Sequence, residues 1–183
     1  TESLMDARSI FLTGNTETIY NITWLDTHDG PLVIDVPAGV LGVIDDIWFH
    51  FVTDIGPLGP DKGNGGKFLL LPPDYSGKIP DGYFVLHSRT YGHYCFFRVF
   101  IESGDMVTAV DYAKKSYRAY PLDQAANPPA MNFINISGKY INTVHSNDFS
   151  FYNEVNQVIQ EEPLDAVDPE VRGLLAAIGI QKG

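Results

Sequence analysis

From residue 18 to residue 98 the apolar positions fall in short runs broken by clusters of Gly, Pro and Asp, the pattern of an antiparallel β domain. The runs predict strands over 18–24, 32–36, 47–52, 67–71, 83–87 and 94–101. Between them His28-Asp29-Gly30-Pro31, Pro37-Ala38-Gly39, the 56–66 segment, 72–77 and Pro80-Asp81-Gly82 supply residues that turn the chain. In 47–52 the apolar side chains occupy nearly both faces, as in a central or covered strand. The run YCFFRVFI over 94–101 is similar and is interrupted only by Arg98. A buried arginine needs a partner, so Arg98 is either a structural ion-pair residue or an anion contact.

After Gly104 the period changes. Met106, Val107, Val110, Ala113 and Tyr117 recur at helical spacing and predict an amphipathic helix over 105–117, with Lys114, Lys115 and Arg118 at its end. A loop over 121–130 and a short apolar piece over 131–136 follow. A second helix spans 148–159, capped by Asp148 or Ser146, with Phe149, Tyr152, Val155 and Ile159 on one face. The last helix has Asp168 as N-cap, Pro169 at its first position, Val171, Leu174, Leu175 and Ile178 as its apolar face and Gly179 as terminator. The expected organisation is a β-sandwich domain over 1–122 that includes the helix 105–117, then a loop, a short strand and a helical segment over 123–183.

Composition supports a folded, turn-rich chain: 183 residues, 44% hydrophobic and 13% aromatic, with 17 Gly and 12 Pro. The 10 Tyr and 11 Phe favour strands. A net charge of -11, with 12 scattered Lys and Arg, argues against nucleic acid and against an anionic membrane surface. No run approaches the ~18 apolar residues of a membrane span, and no basic-then-apolar start marks secretion. The N-terminus reads as processed or trimmed, which leaves a cytoplasmic or an exported location open. Cys95 is the single cysteine, and its setting YCFF reads as a small buried hydrophobe. The triplets Asn21-Ile22-Thr23 and Asn135-Ile136-Ser137 match a glycosylation pattern that arises often by chance.

The candidate chemistry is sparse. DKGNGGK over 61–67 departs from the phosphate loop, with Asp61 at the first Gly position and Phe68 where Ser or Thr belongs, so it reads as a turn. An EF-hand reading fails at Pro72, where the closing Glu belongs. His87 and His93 flank the turn SRTYG and His50 sits nearby, yet no tight histidine pair exists, so no metal site and no cofactor is expected. Asp45-Asp46 and Glu161-Glu162 would point to opposite faces of a strand and form no acid/base pair. Tyr20, Trp24, Trp48, Phe49, Tyr83, Tyr91, Tyr94 and Tyr117 suit a stacking groove for a sugar or polyol, and equally a sandwich core.

The succession GNTETIYNITWLD, DGPLVIDVP, GNGGKFLLLPPDYSGKIPDGY, SRTYGHYCFFRVF and AYPL resembles the widespread, mostly bacterial family known as domain of unknown function 1254. That family opens on an N-x-(D/E)-T-x-Y signature followed by W-(L/V)-D, then a Gly-rich turn into a strand ending in Pro, and a helix before Pro-Leu. The likeness covers about residues 14–122, and 149–183 is similar to the link towards a second domain, of unknown function 1214. It implies an antiparallel β-sandwich of immunoglobulin-like or jelly-roll kind with helical additions. It also implies a fragment, because family members carry a helical stretch before the signature and a second β domain after the last helix.

No activity accompanies the resemblance, and three readings follow. The first is an accessory or binding module for a small neutral ligand, a glycan or a partner subunit, with Asn15, Thr18, Tyr20, Arg89, Tyr91 and Arg98 as binding residues. The second is an enzyme completed by the missing domain, with Glu17 or His93 moving protons and Arg89 or Arg98 holding an anionic group. It requires Asn15, Tyr20, His93 and Arg98 to converge in one pocket. The third is a structural module that forms a homo-oligomer or contacts the second domain.

Overall fold

The computed structural model of the chain describes residues 1–10 and 14–183. In chain order the strands are β1 (Ser9–Ile10), β2 (Thr18–Asp26), β3 (Leu32–Val36), β4 (Leu41–Asp46), β5 (Phe51–Ile55), β6 (Gly66–Leu71), β7 (Phe84–His87), β8 (Gly92–Phe100), β9 (Arg118–Pro121) and β10 (Ile141–Asn142). Two four-stranded sheets stack as a mainly β sandwich, one in the order β2-β8-β4-β5 and the other β7-β6-β3-β9. The first sheet is antiparallel throughout. The second departs from the expected antiparallel form, because β6 and β7 run parallel, joined by the proline-rich connection over 72–83. β1 and β10 form a separate parallel pair.

Strict alternation along β8 sets the layers. His93, Cys95, Phe97 and Val99 point inward and are buried, while Tyr94, Phe96, Arg98 and Phe100 point outward. Ile19, Ile44, Ile55 and Phe97 of the first sheet meet Ile34, Val36, Phe68 and Leu70 of the second in one core. Each such fully buried side chain contributes roughly 1.5–3 kcal/mol. The outer face of the second sheet is also covered, by Tyr75, Tyr83, Leu122 and Ala125 packed on Val33, Leu69, Leu71 and Tyr120. Helix α1 (Met106–Ser116) closes the sandwich beside β2 and β8, with Asp105 accepting from the Thr108 amide as its N-cap. Its buried contacts are Ala109, Ala113 and the following Tyr117, whereas Val107, assigned to the apolar face from sequence, is exposed.

Two sequence expectations need correction here. Residues 47–52 are not one central strand. The Asp46 carboxylate at the end of β4 accepts hydrogen bonds from the Trp48 and His50 amides at 2.8 and 2.9 Å, and Phe49 adopts φ 61°, so the chain turns back into β5. β4 itself lacks an unbroken apolar run because it contains Gly42. A Cβ there would lie 2.3 Å from the Phe96 carbonyl oxygen, so the close approach of β4 to β8 demands glycine. Arg98 has no ion-pair partner among the described residues; its guanidinium lies over the Tyr20 ring at 5.5 Å and the Phe96 ring at 5.3 Å.

Helices α2 (Ser150–Glu161) and α3 (Pro169–Ala177) pack together through Val155, Ile159, Val167, Leu175 and Ile180, against Trp48 of the sandwich. The apolar face expected for α3 is only partly used, since Val171, Leu174 and Ile178 are exposed. Pro169 opens α3 and Gly179 follows its end at φ 85°, as the sequence predicts. Asp168, however, does not cap with its side chain; the carboxylate lies 3.7 Å from His50 Nε2. Asp148, ahead of α2, accepts from the Ser150 amide.

Candidate functional site

The signature stretch at the start of β2 is braced from within. Asn15 Oδ1 accepts from the amides of Glu17 and Thr18, each at 2.9 Å, and from the Thr18 hydroxyl at 3.0 Å. The Asn15 amide and Nδ2 both donate to the Tyr20 hydroxyl, at 3.0 and 2.8 Å. Asn15, Thr18 and Tyr20 thus close an Asx turn that aims the chain into the sheet. The Glu17 carboxylate is exposed and has no hydrogen-bond or ion-pair partner among the described residues.

The remaining candidates lie elsewhere. Tyr20 pairs with Arg98 near one end of β8 and Leu25 pairs with His93 near the other, about 17 Å away at the rise of a strand. His93 faces the core while Arg98 faces outward, so Asn15, Tyr20, His93 and Arg98 do not converge in one pocket. His93 Nδ1 lies 3.0 Å from the Tyr91 carbonyl oxygen, and its Nε2 is buried without a partner among the described residues. Burial pushes its pKa down to about 4, against smaller opposing effects of the Tyr91 carbonyl, Asp46 and Asp26. The Tyr91 ring stacks on His28 at 4.0 Å. The amides of Tyr91 and Gly92 donate to the buried Glu162 carboxylate at 2.6 and 2.8 Å, which fastens the segment after α2 to the sheet. Arg89 is exposed, its guanidinium 3.5 Å from His50 Nδ1. Burial raises the Cys95 thiol to about 12, which suits an inert core residue.

The DKGNGGK segment is a turn held by one buried carboxylate: Asp61 accepts from the Gly56 amide at 2.8 Å and the Gly65 amide at 3.2 Å. Gly65 adopts φ 69° there, and a Cβ on it would lie 2.5 Å from the Val36 carbonyl oxygen. Among the described residues no group of three or more His, Cys, Asp or Glu is placed to hold a metal ion, and no helix is long and apolar enough to cross a membrane.

A concavity is found instead along β2, which forms an edge of its sheet. The groove measures about 1080 Å³. One wall is β2 from Ile19 to Trp24; α1 contributes Val110, Ala113, Lys114 and Tyr117; the opposite wall is the irregular segment 131–136 with 141–143. Trp24, 61% exposed, and Phe49, 63% exposed, form its aromatic end with Tyr94. The Tyr94 ring lies 5.0 Å from that of Trp24 and 5.4 Å from that of Phe49. Lys114 bonds Glu2 at the other end, so the two charged side chains of the groove are paired to each other. Asn21 Nδ2, in the β2 wall, is buried without an acceptor among the described residues. Of the residues singled out from sequence, Tyr20, Trp24, Phe49, Tyr94 and Tyr117 line this groove. Asn21, Ile22, Phe133 and Ile134 were not expected there; the apolar piece over 131–136, expected as the short strand of the C-terminal segment, is irregular and lines the groove instead, while the strand pairing falls at Ile141–Asn142.

Comparison with known proteins returns fold and family without an activity. Among solved structures the chain is similar to the VPA0106 protein from Vibrio parahaemolyticus, a structural-genomics target, at TM-score 0.64 and 16% identity over 92% of this chain. That likeness is one of fold, and this chain spans 42% of the length of that protein. Among curated proteins none matches. The family model described as "Protein of unknown function (DUF1254)" matches residues 1–121, which hold β1 to β9, α1 and the β2 wall of the groove. With two thirds of its length matched and the signature residues locked into the first turn of the sandwich, the chain belongs to the DUF1254 family.

Proposed function

We propose that the domain is a binding module whose groove along β2 takes an uncharged, largely apolar ligand. The observation that carries this reading is the groove itself: about 1080 Å³, with an exposed aromatic end and its one cationic side chain, Lys114, paired to Glu2. That size suits a ligand of drug size or a short segment of chain, and the apolar walls give affinity while the asparagine and threonine groups orient. Trp24 reports on occupancy directly, because its indole lies at the groove and is exposed. A neutral environment-sensitive dye should bind saturably and quench Trp24, and Trp24→Ala or Ile134→Asp should weaken that binding at least tenfold. Unsaturable binding, or equal binding by both variants, would sink the reading.

A second reading, self-association, is favoured by one further observation. Phe51, 66% exposed, and Phe49 add to the aromatic row on the outer face of the first sheet. A large exposed apolar face of this kind marks an interaction surface. Sedimentation of the chain against a Phe51→Glu variant tests it, and a monomer at high concentration in both would dismiss it.

A further inference from the structure

Resting on the binding-module reading, the geometry points to an extended polypeptide segment as the occupant of the groove, added to β2 as a further strand. β2 is an edge, and its hydrogen-bonding parity is fixed by contacts at both ends: Ile101 N donates to the Glu17 carbonyl and Thr27 N donates to the Tyr91 carbonyl. Odd-numbered residues of β2 therefore bond β8, while the amides and carbonyls of Tyr20, Ile22 and Trp24 point away from the sheet. At Tyr20 a single residue already uses this edge: the Tyr20 amide donates to Thr1 Oγ1 at 3.0 Å, and Thr1 N donates to the Tyr20 carbonyl. Beyond it the main-chain groups of Ile22 and Trp24 have no partner among the described residues and face the groove.

Those free groups repeat every two residues, about 6.7 Å apart, which is the spacing of a β-strand and not of a sugar or a compact ligand. Unpaired edge amides and carbonyls are satisfied by strand addition, with alternate side chains of the incoming segment entering pockets on either side. Here one set would meet Trp24 and Tyr94 and the other Met131 and Phe133. The charged side chains of the groove, Glu2 and Lys114, are paired to each other, which favours a segment whose own side chains are uncharged. The bond at Tyr20 places the site in continuity with an edge contact this fold already makes.

The test titrates the full chain with a short capped peptide alternating valine and threonine, read by hydrogen exchange of individual amides. Expected is slowed exchange at Ile22 and Trp24 with little change at Asn21 and Thr23, which already bond β8. Ile22→Pro removes an outward donor while sparing the ladder to β8, and should weaken the peptide at least tenfold. The same peptide with its amides N-methylated along one edge should lose affinity equally on the unaltered protein, so the result does not depend on folding of the variant. Peptide binding without protection of Ile22 and Trp24, or indifference to N-methylation, overturns strand addition. So does saturable binding of the neutral dye when the peptide fails to bind. Failure of both dye and peptide overturns the binding-module reading itself.

Discussion

His93 offers the sharpest test of how this core is built. Its ring is fully buried between the sheets, with Nε2 unpartnered among the described residues and Nδ1 against the Tyr91 carbonyl. Burial depresses its pKa from 6.5 to about 4, whereas in the unfolded chain it keeps the ordinary value. The unfolded state therefore binds the proton first as pH falls, and stability drops between about pH 6.5 and pH 4. From pH 7 to pH 5 the expected loss is about 2 kcal/mol, and roughly 3 kcal/mol once both states are protonated. His93→Leu removes the titration and the orphaned nitrogen; the Tyr91 carbonyl keeps the Thr27 amide and hydroxyl as donors. Urea unfolding of both proteins across this range isolates the residue. Glu162, whose pKa is raised by burial, acts in the opposite sense and gains stability as pH falls, but it is common to both proteins and cancels. The stability of His93→Leu relative to the parent should rise by about 2 kcal/mol from pH 7 to pH 5, and a difference constant to within ~0.5 kcal/mol refutes the reasoning.

Asn15→Ala removes an acceptor of three hydrogen bonds and a donor to Tyr20, and should cost about 2 kcal/mol or more in denaturant unfolding while leaving dye binding in the groove unchanged. A stable variant with weakened binding would move the signature from turn brace to ligand contact. Gly42→Ala places a methyl 2.3 Å from the Phe96 carbonyl oxygen and should cost roughly 1–3 kcal/mol or more, visible as a lower urea midpoint. Glu162→Ala leaves the Tyr91 and Gly92 amides without their carboxylate, so their exchange should accelerate and the segment 163–183 become sensitive to protease. An unchanged cleavage pattern would show that Trp48 and its neighbours hold the segment unaided.

Much of the sandwich was legible because burial writes its period into the chain. The runs at 18–24, 32–36, 67–71, 83–87 and 94–101 all fall on strands, and Pro169 and Gly179 bracket α3 as their backbone chemistry requires. The family could also be read, since the residues that close the first turn form a compact motif in sequence. Residues 47–52 could not, because an apolar turn around Asp46 and an apolar strand have the same composition; only the carboxylate bonds to Trp48 and His50 separate them. The parallel pairing of β6 with β7 was equally invisible, as alternation states which face a residue takes and not which neighbour it finds. The groove required the tertiary structure altogether. Its walls come from β2, α1 and the segment 131–143, far apart along the chain, and its most informative feature is main-chain hydrogen-bonding capacity at Ile22 and Trp24. Side-chain pattern decides what a strand buries, but which strand is left at an edge is settled only when every other strand has found its partner.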